Sequence, residues 1–84
     1  MNDQQIIQKL KEVFLLYVDD ESLLANASLD AHLTRDLNIN SANIVDIVLD
    51  IEDMFGVEID DDSIGEMETL RKCLAVLRSN PVLN

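Results

Sequence analysis

The run Asn40-Ser41-Ala42-Asn43-Ile44-Val45-Asp46-Ile47-Val48-Leu49-Asp50-Ile51-Glu52-Asp53-Met54-Phe55-Gly56 carries the clearest periodic signal in the chain. Ile44, Ile47, Val48, Ile51 and Phe55 recur at steps of three and four, which places them on one stripe of an α-helix. Asp46, Asp50 and Asp53 fall on its flanks and far side. Asn40-Ser41 supplies the short polar side chains that open a helix, and Gly56 stands where a left-handed residue closes one. A helix that is apolar along one side and acidic along the other needs further helices to cover its stripe.

Those partners are legible on either side. Upstream, Ile6, Ile7, Leu10, Val13, Phe14 and Tyr17 share a face opposite Gln8, Lys9, Lys11 and Glu12. Asp3 is the expected cap of this helix, and Asp19-Asp20-Glu21-Ser22 its expected end. Downstream, Thr69 should cap a last helix with Leu70, Cys73, Leu74 and Leu77 inward and Arg71, Lys72 and Arg78 outward, ended by Asn80-Pro81. After Val57-Glu58-Ile59, the segment Asp60 to Met67 reads as a short helix. The segment from Leu23 to Asn40 shows no sustained period, but Leu24, Leu29, Leu33 and Leu37 can pin it to the core. A connection of that length inside a small domain is uncommon and often functional. The expected fold is all-α: a bundle of three main helices plus one short helix, with a long ordered first loop, in a single domain over 1–84 and an ordered core over about 3–79.

Size and composition agree with this outline. A chain of 84 residues buries about 60–65% of the surface its unfolded form exposes, enough for one core but not for a deep catalytic cleft as well. Phe14, Tyr17 and Phe55 are the only aromatic residues, so that core is aliphatic. Gly56, Gly65 and Pro81 are the only strong breakers, which favours long helices over a many-turned β fold.

The formal charge of −11 is unevenly placed. From Asp36 to Leu70 there are eleven acids and no Lys or Arg, while the rest of the chain balances six acids against six bases. A field of one sign repels nucleic acid and anionic membrane and draws in basic protein surfaces. The plainer reading of such a stretch is a solvated, solubilising face. MNDQQIIQKLK lacks the apolar stretch of a secretory signal, and no apolar run is long enough to span a bilayer, so a cytoplasmic, monomeric protein is expected.

Catalytic and metal chemistry find little support. Cys73 is the only cysteine, which excludes an intrachain disulfide and a cysteine-cluster zinc site. It falls on the apolar stripe of the last helix and reads as a small core residue. His32, the only histidine, lies in the first loop and reads as a surface or loop-packing residue. Asp60 to Arg71 has the acids and Gly65 of a calcium loop at three positions, but Ile64 and Arg71 stand where oxygen ligands are required. No catalytic constellation and no metal site are expected.

The sequence around the acidic helix continues in one ungapped register. It runs Leu33-Thr34-Arg35-Asp36-Leu37-Asn38-Ile39-Asn40-Ser41-Ala42, then Val45-Asp46-Ile47-Val48, then Ile51-Glu52-Asp53-Met54-Phe55-Gly56-Val57-Glu58-Ile59-Asp60-Asp61. In this register the chain resembles the acyl carrier protein family over nearly all its length. The resemblance implies a free-standing carrier with 4′-phosphopantetheine attached to Ser41, bearing acyl intermediates as thioesters in fatty acid, polyketide or related lipid biosynthesis. It implies a phosphopantetheinyl transferase and acyl-processing enzymes with basic docking surfaces as partners. The residues implied to meet them are Asn40, Ala42, Asp46, Leu49, Glu52 and Asp53.

The local chemistry suits that role. A phosphodiester on Ser41 would lie at the positive, amide-bearing end of a helix. With Asn40, Ala42 and Asn43 as neighbours, Ser41 has no adjacent general base and reads as the substrate of another enzyme. Three positions depart from the family pattern: Asn38 replaces Gly, Asn40 replaces Asp, and Ala42 replaces Leu. Two other readings stand beside this one. An aminoacyl or peptidyl carrier would keep the fold and change the cargo, and an acidic interaction module would explain the charge but not the serine register.

Overall fold

The computed structural model describes residues 1–83. The last residue of the expected domain, Asn84, lies outside the described residues. Asn2, not Asp3, caps the first helix, α1 (Asp3–Phe14). Asn2 Oδ1 accepts from the Gln5 amide at 2.8 Å while Gln5 Oε1 accepts from the Asn2 amide at 3.0 Å. This reciprocal pair satisfies two donors at once, an advantage Asp3 would lack without a partner three residues on. As the first helical residue, Asp3 still places its charge against the positive end of the helix.

α1 stops at Phe14, earlier than its apolar spacing suggests. The amides of Leu16 and Tyr17 reach back only three residues, to Val13 and Phe14, so the chain tightens into a turn. Tyr17 leaves this turn half-buried, with its hydroxyl donating to Asp50 at 2.5 Å.

The long connection departs from expectation in one respect. It contains α2 (Glu21–Ala25), capped by Asp20, whose carboxylate accepts from the Ser22 amide and hydroxyl. Five residues are too few for a period to register, so the bundle has two short helices rather than one. The rest of the connection is irregular but fixed. Leu24, Ala31, Leu33, Leu37 and Ile39 are buried, and Leu29 is half-buried. Its backbone is tied to the start of the last helix and the residues just before it, with Leu33 N donating to Glu68 O at 2.9 Å and Arg71 N to Leu29 O at 2.7 Å. His32 lies on this seam opposite Thr69, and its amide donates to the Asp36 carboxylate.

A 3-10 turn, Ser41–Asn43, leads into α3 (Ile44–Phe55). There follow α4 (Asp61–Glu66), α5 (Leu70–Arg78) and a 3-10 turn at Pro81–Leu83. Asp60 caps α4 and Thr69 caps α5 through side-chain oxygens. The core lies where the stripes of α1, α3 and α5 meet, at Ile6, Leu10 and Phe14, Ile47, Val48 and Ile51, and Leu70, Cys73 and Leu77. Burial pushes the Cys73 thiol up to about 12, so this residue is an inert part of the packing.

Candidate functional site

Ser41 is exposed at the mouth of α3, and its position follows from the residues before it. Leu37 and Ile39 are buried anchors, with Asn38 between them turning the chain at φ 58°. This left-handed conformation is open to Asn at lower cost than to most side chains, so Asn38 can stand where the family that the sequence resembles has Gly. Asn40 then closes the start of the turn, and the Ile44 amide donates back to the Ser41 carbonyl at its end. The Asn40 side-chain oxygen accepts from the Ala42 amide at 2.9 Å, and its carbonyl accepts from the Asn43 amide at 2.9 Å.

Two details differ from the sequence reading. The α-helix proper begins at Ile44, with Ser41 one tight turn ahead of it. The first two amides after Ser41 are also already engaged by Asn40, so they do not form an open cradle for a phosphate. What remains for an anion on Ser41 is the positive end of the α3 dipole and free access to solvent. The residues fit a phosphodiester-linked group in the respect that matters most: the hydroxyl projects from a rigid turn into open space and takes no part in the turn's bonds.

Beyond this turn, α3 offers one continuous outward face. Asn40, Ala42, Asp46, Leu49 and Asp53 are all exposed. Leu49 is 54% and Val45 60% exposed, an i, i+4 pair of apolar side chains set among carboxylates. Val45 is an exposed apolar residue of this face that the sequence reading did not single out. Its signal was its absence from the buried stripe of Ile44, Ile47, Val48 and Ile51. Glu52 differs from the others because its carboxylate accepts from the Ile59 amide at 2.8 Å and is half-buried. It therefore fastens the loop after α3, whatever else it meets. Asp50 meets the turn that follows α1, where its carboxylate accepts from the Tyr17 phenol and pushes its pKa up to about 12. Among the described residues, no group of three or more His, Cys, Asp or Glu is placed to hold a metal ion. No helix among them is long and apolar enough to cross a membrane.

The comparisons with known proteins bear on this geometry. The family described as "Phosphopantetheine attachment site" matches residues 4–77. The acyl carrier protein of Thermosynechococcus vestitus is 33% identical over 76 residues, covering 88% of this chain and 89% of that protein. The acyl carrier protein of Coprothermobacter proteolyticus is 28% identical over 82 residues, 95% of each chain. Among solved structures, the acyl carrier protein of Enterococcus faecalis superposes with a TM-score of 0.76 at 28% identity, covering 95% of this chain and 99% of that one. The fold, the exposed serine turn and these relatives lead to one conclusion: this chain belongs to the acyl carrier proteins, the helical carriers whose prosthetic group is a covalently attached 4′-phosphopantetheine.

Proposed function

We propose that Ser41 is the attachment residue, and that the chain carries acyl groups as thioesters for fatty acid, polyketide or related lipid biosynthesis. The observation that carries this reading is the exposed Ser41 hydroxyl at the mouth of α3, inside an ungapped family register from Leu33 to Asp61. In the modification, Ser41 Oγ forms a bond to a phosphorus of coenzyme A as the bond to the nucleotide portion breaks. The serine proton passes to a base of the transferase, because the chain places none beside it. Bound, the group supplies a terminal thiol for thioester chemistry.

The chain's own residues hold and present that arm. Asn40 fixes the turn, so that Ser41 stands at a constant height above α3. The dipole of α3 favours the phosphodiester charge. Asp46 and Asp53 draw basic enzymes in, while Leu49 and Val45 give the encounter an apolar centre that excludes water. The net charge of −11 disfavours self-association and anionic membranes, in keeping with a monomeric, cytoplasmic carrier.

Incubation with coenzyme A and a phosphopantetheinyl transferase should raise the intact mass by one phosphopantetheinyl group. Peptide mapping should place that group on Ser41. Modification at another residue, or none with several transferases, overturns the assignment.

A further inference from the structure

The flank of α3 that faces α1 carries a second apolar opening, away from Ser41. A groove of about 340 Å³ lies between the two helices, lined by Glu12, Val13, Leu16, Asp50, Asp53 and Met54. Leu16 is 75% exposed, more than any other large hydrophobic residue described, and Met54 is 37% exposed. Leu15, its neighbour, is 45% exposed. Neither Leu16 nor Met54 serves the core, whose α1 members are Ile6, Leu10, Val13 and Phe14.

The walls of the groove are fixed. The turn bearing Leu16 is held by the Leu16 and Tyr17 amide bonds to Val13 and Phe14, and by the Tyr17 hydroxyl on Asp50. Leu16 is thus held on the outside, over the floor made by Val13. Met54 lies thirteen residues past Ser41, roughly 20 Å along a helical path, so the groove is spatially separate from the serine turn.

We infer that this groove docks a cationic amphipathic segment of a partner protein, one that presents an apolar side chain between Lys or Arg residues. Charge selects this occupant. Glu12, Asp50 and Asp53 ring the opening, and no Lys or Arg lines it, Lys9 standing one turn before Glu12. A second copy of this chain would bring the same carboxylates against these, and an anionic lipid surface would be repelled likewise. A basic segment gains both the apolar seat and the carboxylate rim. The inference does not require Ser41 to be the attachment residue.

The probe is a synthetic helical peptide of Leu and Lys, with its leucines on one face, titrated into the full chain and followed by backbone amide shifts. Shifts should centre on Glu12, Val13, Leu16, Asp50, Asp53 and Met54, and should weaken as salt is raised. Leu16→Ser should weaken binding roughly tenfold, because a seated leucine would lose its partner. Val82→Ser, which removes an exposed apolar residue elsewhere, should leave binding unchanged. Because Leu16 is outside the core, both variants should fold, and the amide spectrum shows whether they do. Shifts confined to Asp46 and Leu49, or spread over all the acids, overturn the inference. So does binding indifferent to Leu16→Ser. Concentration-dependent shifts at the groove without peptide overturn it in favour of a second copy.

Discussion

The two ends of α3 are built in opposite ways. At its start, the turn is held by Asn40 and by the Ile44 amide on the Ser41 carbonyl, Asn40, Ser41 and Ala42 are exposed, and Asn43 and Ile44 are only half-buried. At its end, Gly56 takes φ 66°, and its amide and that of Val57 both reach back to the Glu52 carbonyl. The Glu52 carboxylate then accepts from Ile59, while Phe55 and Val57 close over the core. One end is open to solvent and to other proteins, and the other is fastened by backbone, side chain and packing together. The difference teaches that the fastenings of α3 are concentrated at the end away from Ser41. If Ser41 is the attachment residue, as proposed, it must enter the active sites of other enzymes, and the exposed turn around it suits that role.

The sharpest test crosses the two ends. Ser41→Ala should abolish phosphopantetheinylation entirely and leave the melting curve unchanged, since an exposed serine contributes little to packing. Gly56→Ala should do the reverse. No atom lies within 4 Å of a Cβ built at Gly56, so the cost is left-handed strain alone, about 1–2 kcal/mol of stability, with modification intact. If Ser41→Ala lowered the melting temperature comparably, the open end would prove to be structural after all.

The next effect concerns the outward face between those ends. Replacing Asp46 and Asp53 together with Lys should slow association with a basic transferase by about tenfold at low salt. The gap should narrow as salt is added, because exposed charges are screened over about 8 Å at physiological ionic strength. Rates measured across a salt series decide this, and a salt-independent difference would point to a contact other than charge.

A smaller effect tests how α3 is held against α1. Tyr17 is the only tyrosine, so its ionisation is visible directly by ultraviolet absorbance. The Asp50 carboxylate raises it from 10.0 to about 12. The folded value lies above the unfolded one, so the contribution to stability is fully present below pH 10 and is lost as pH rises through about 12. Asp50→Asn should bring the titration back toward its ordinary value. A midpoint still near 12 in that variant would assign the shift to burial instead.

The smallest expected effect is at the cap. Asn and Asp are nearly equal as N-caps, so Asn40→Asp should alter stability by only about 0.3 kcal/mol. The added carboxylate can pair with a base on the transferase, and exposed pairs contribute about 0.2–1 kcal/mol, so modification should quicken by about fivefold at most. Equal rates would show that the cap's charge is irrelevant to recognition.

The sequence by itself determined the three main helices, the acidic outward face and the serine register. Each rests on local physics that a linear string retains: a sustained period in α1, α3 and α5, and short polar residues at their starts. It placed the α1 cap one residue late, because Asn2 and Asp3 are both good caps and only the reciprocal bond with Gln5 separates them. It did not show α2, which is shorter than two helical turns, nor that Asn40 would occupy the amides beside Ser41. Tertiary structure alone decided what three apparently similar acids do. Asp46 faces solvent, Asp50 meets Tyr17 across 33 positions of sequence, and Glu52 ties down Ile59. Helical periodicity gives the side of α3 on which a carboxylate stands, whereas its partner depends on how neighbouring segments pack against that side.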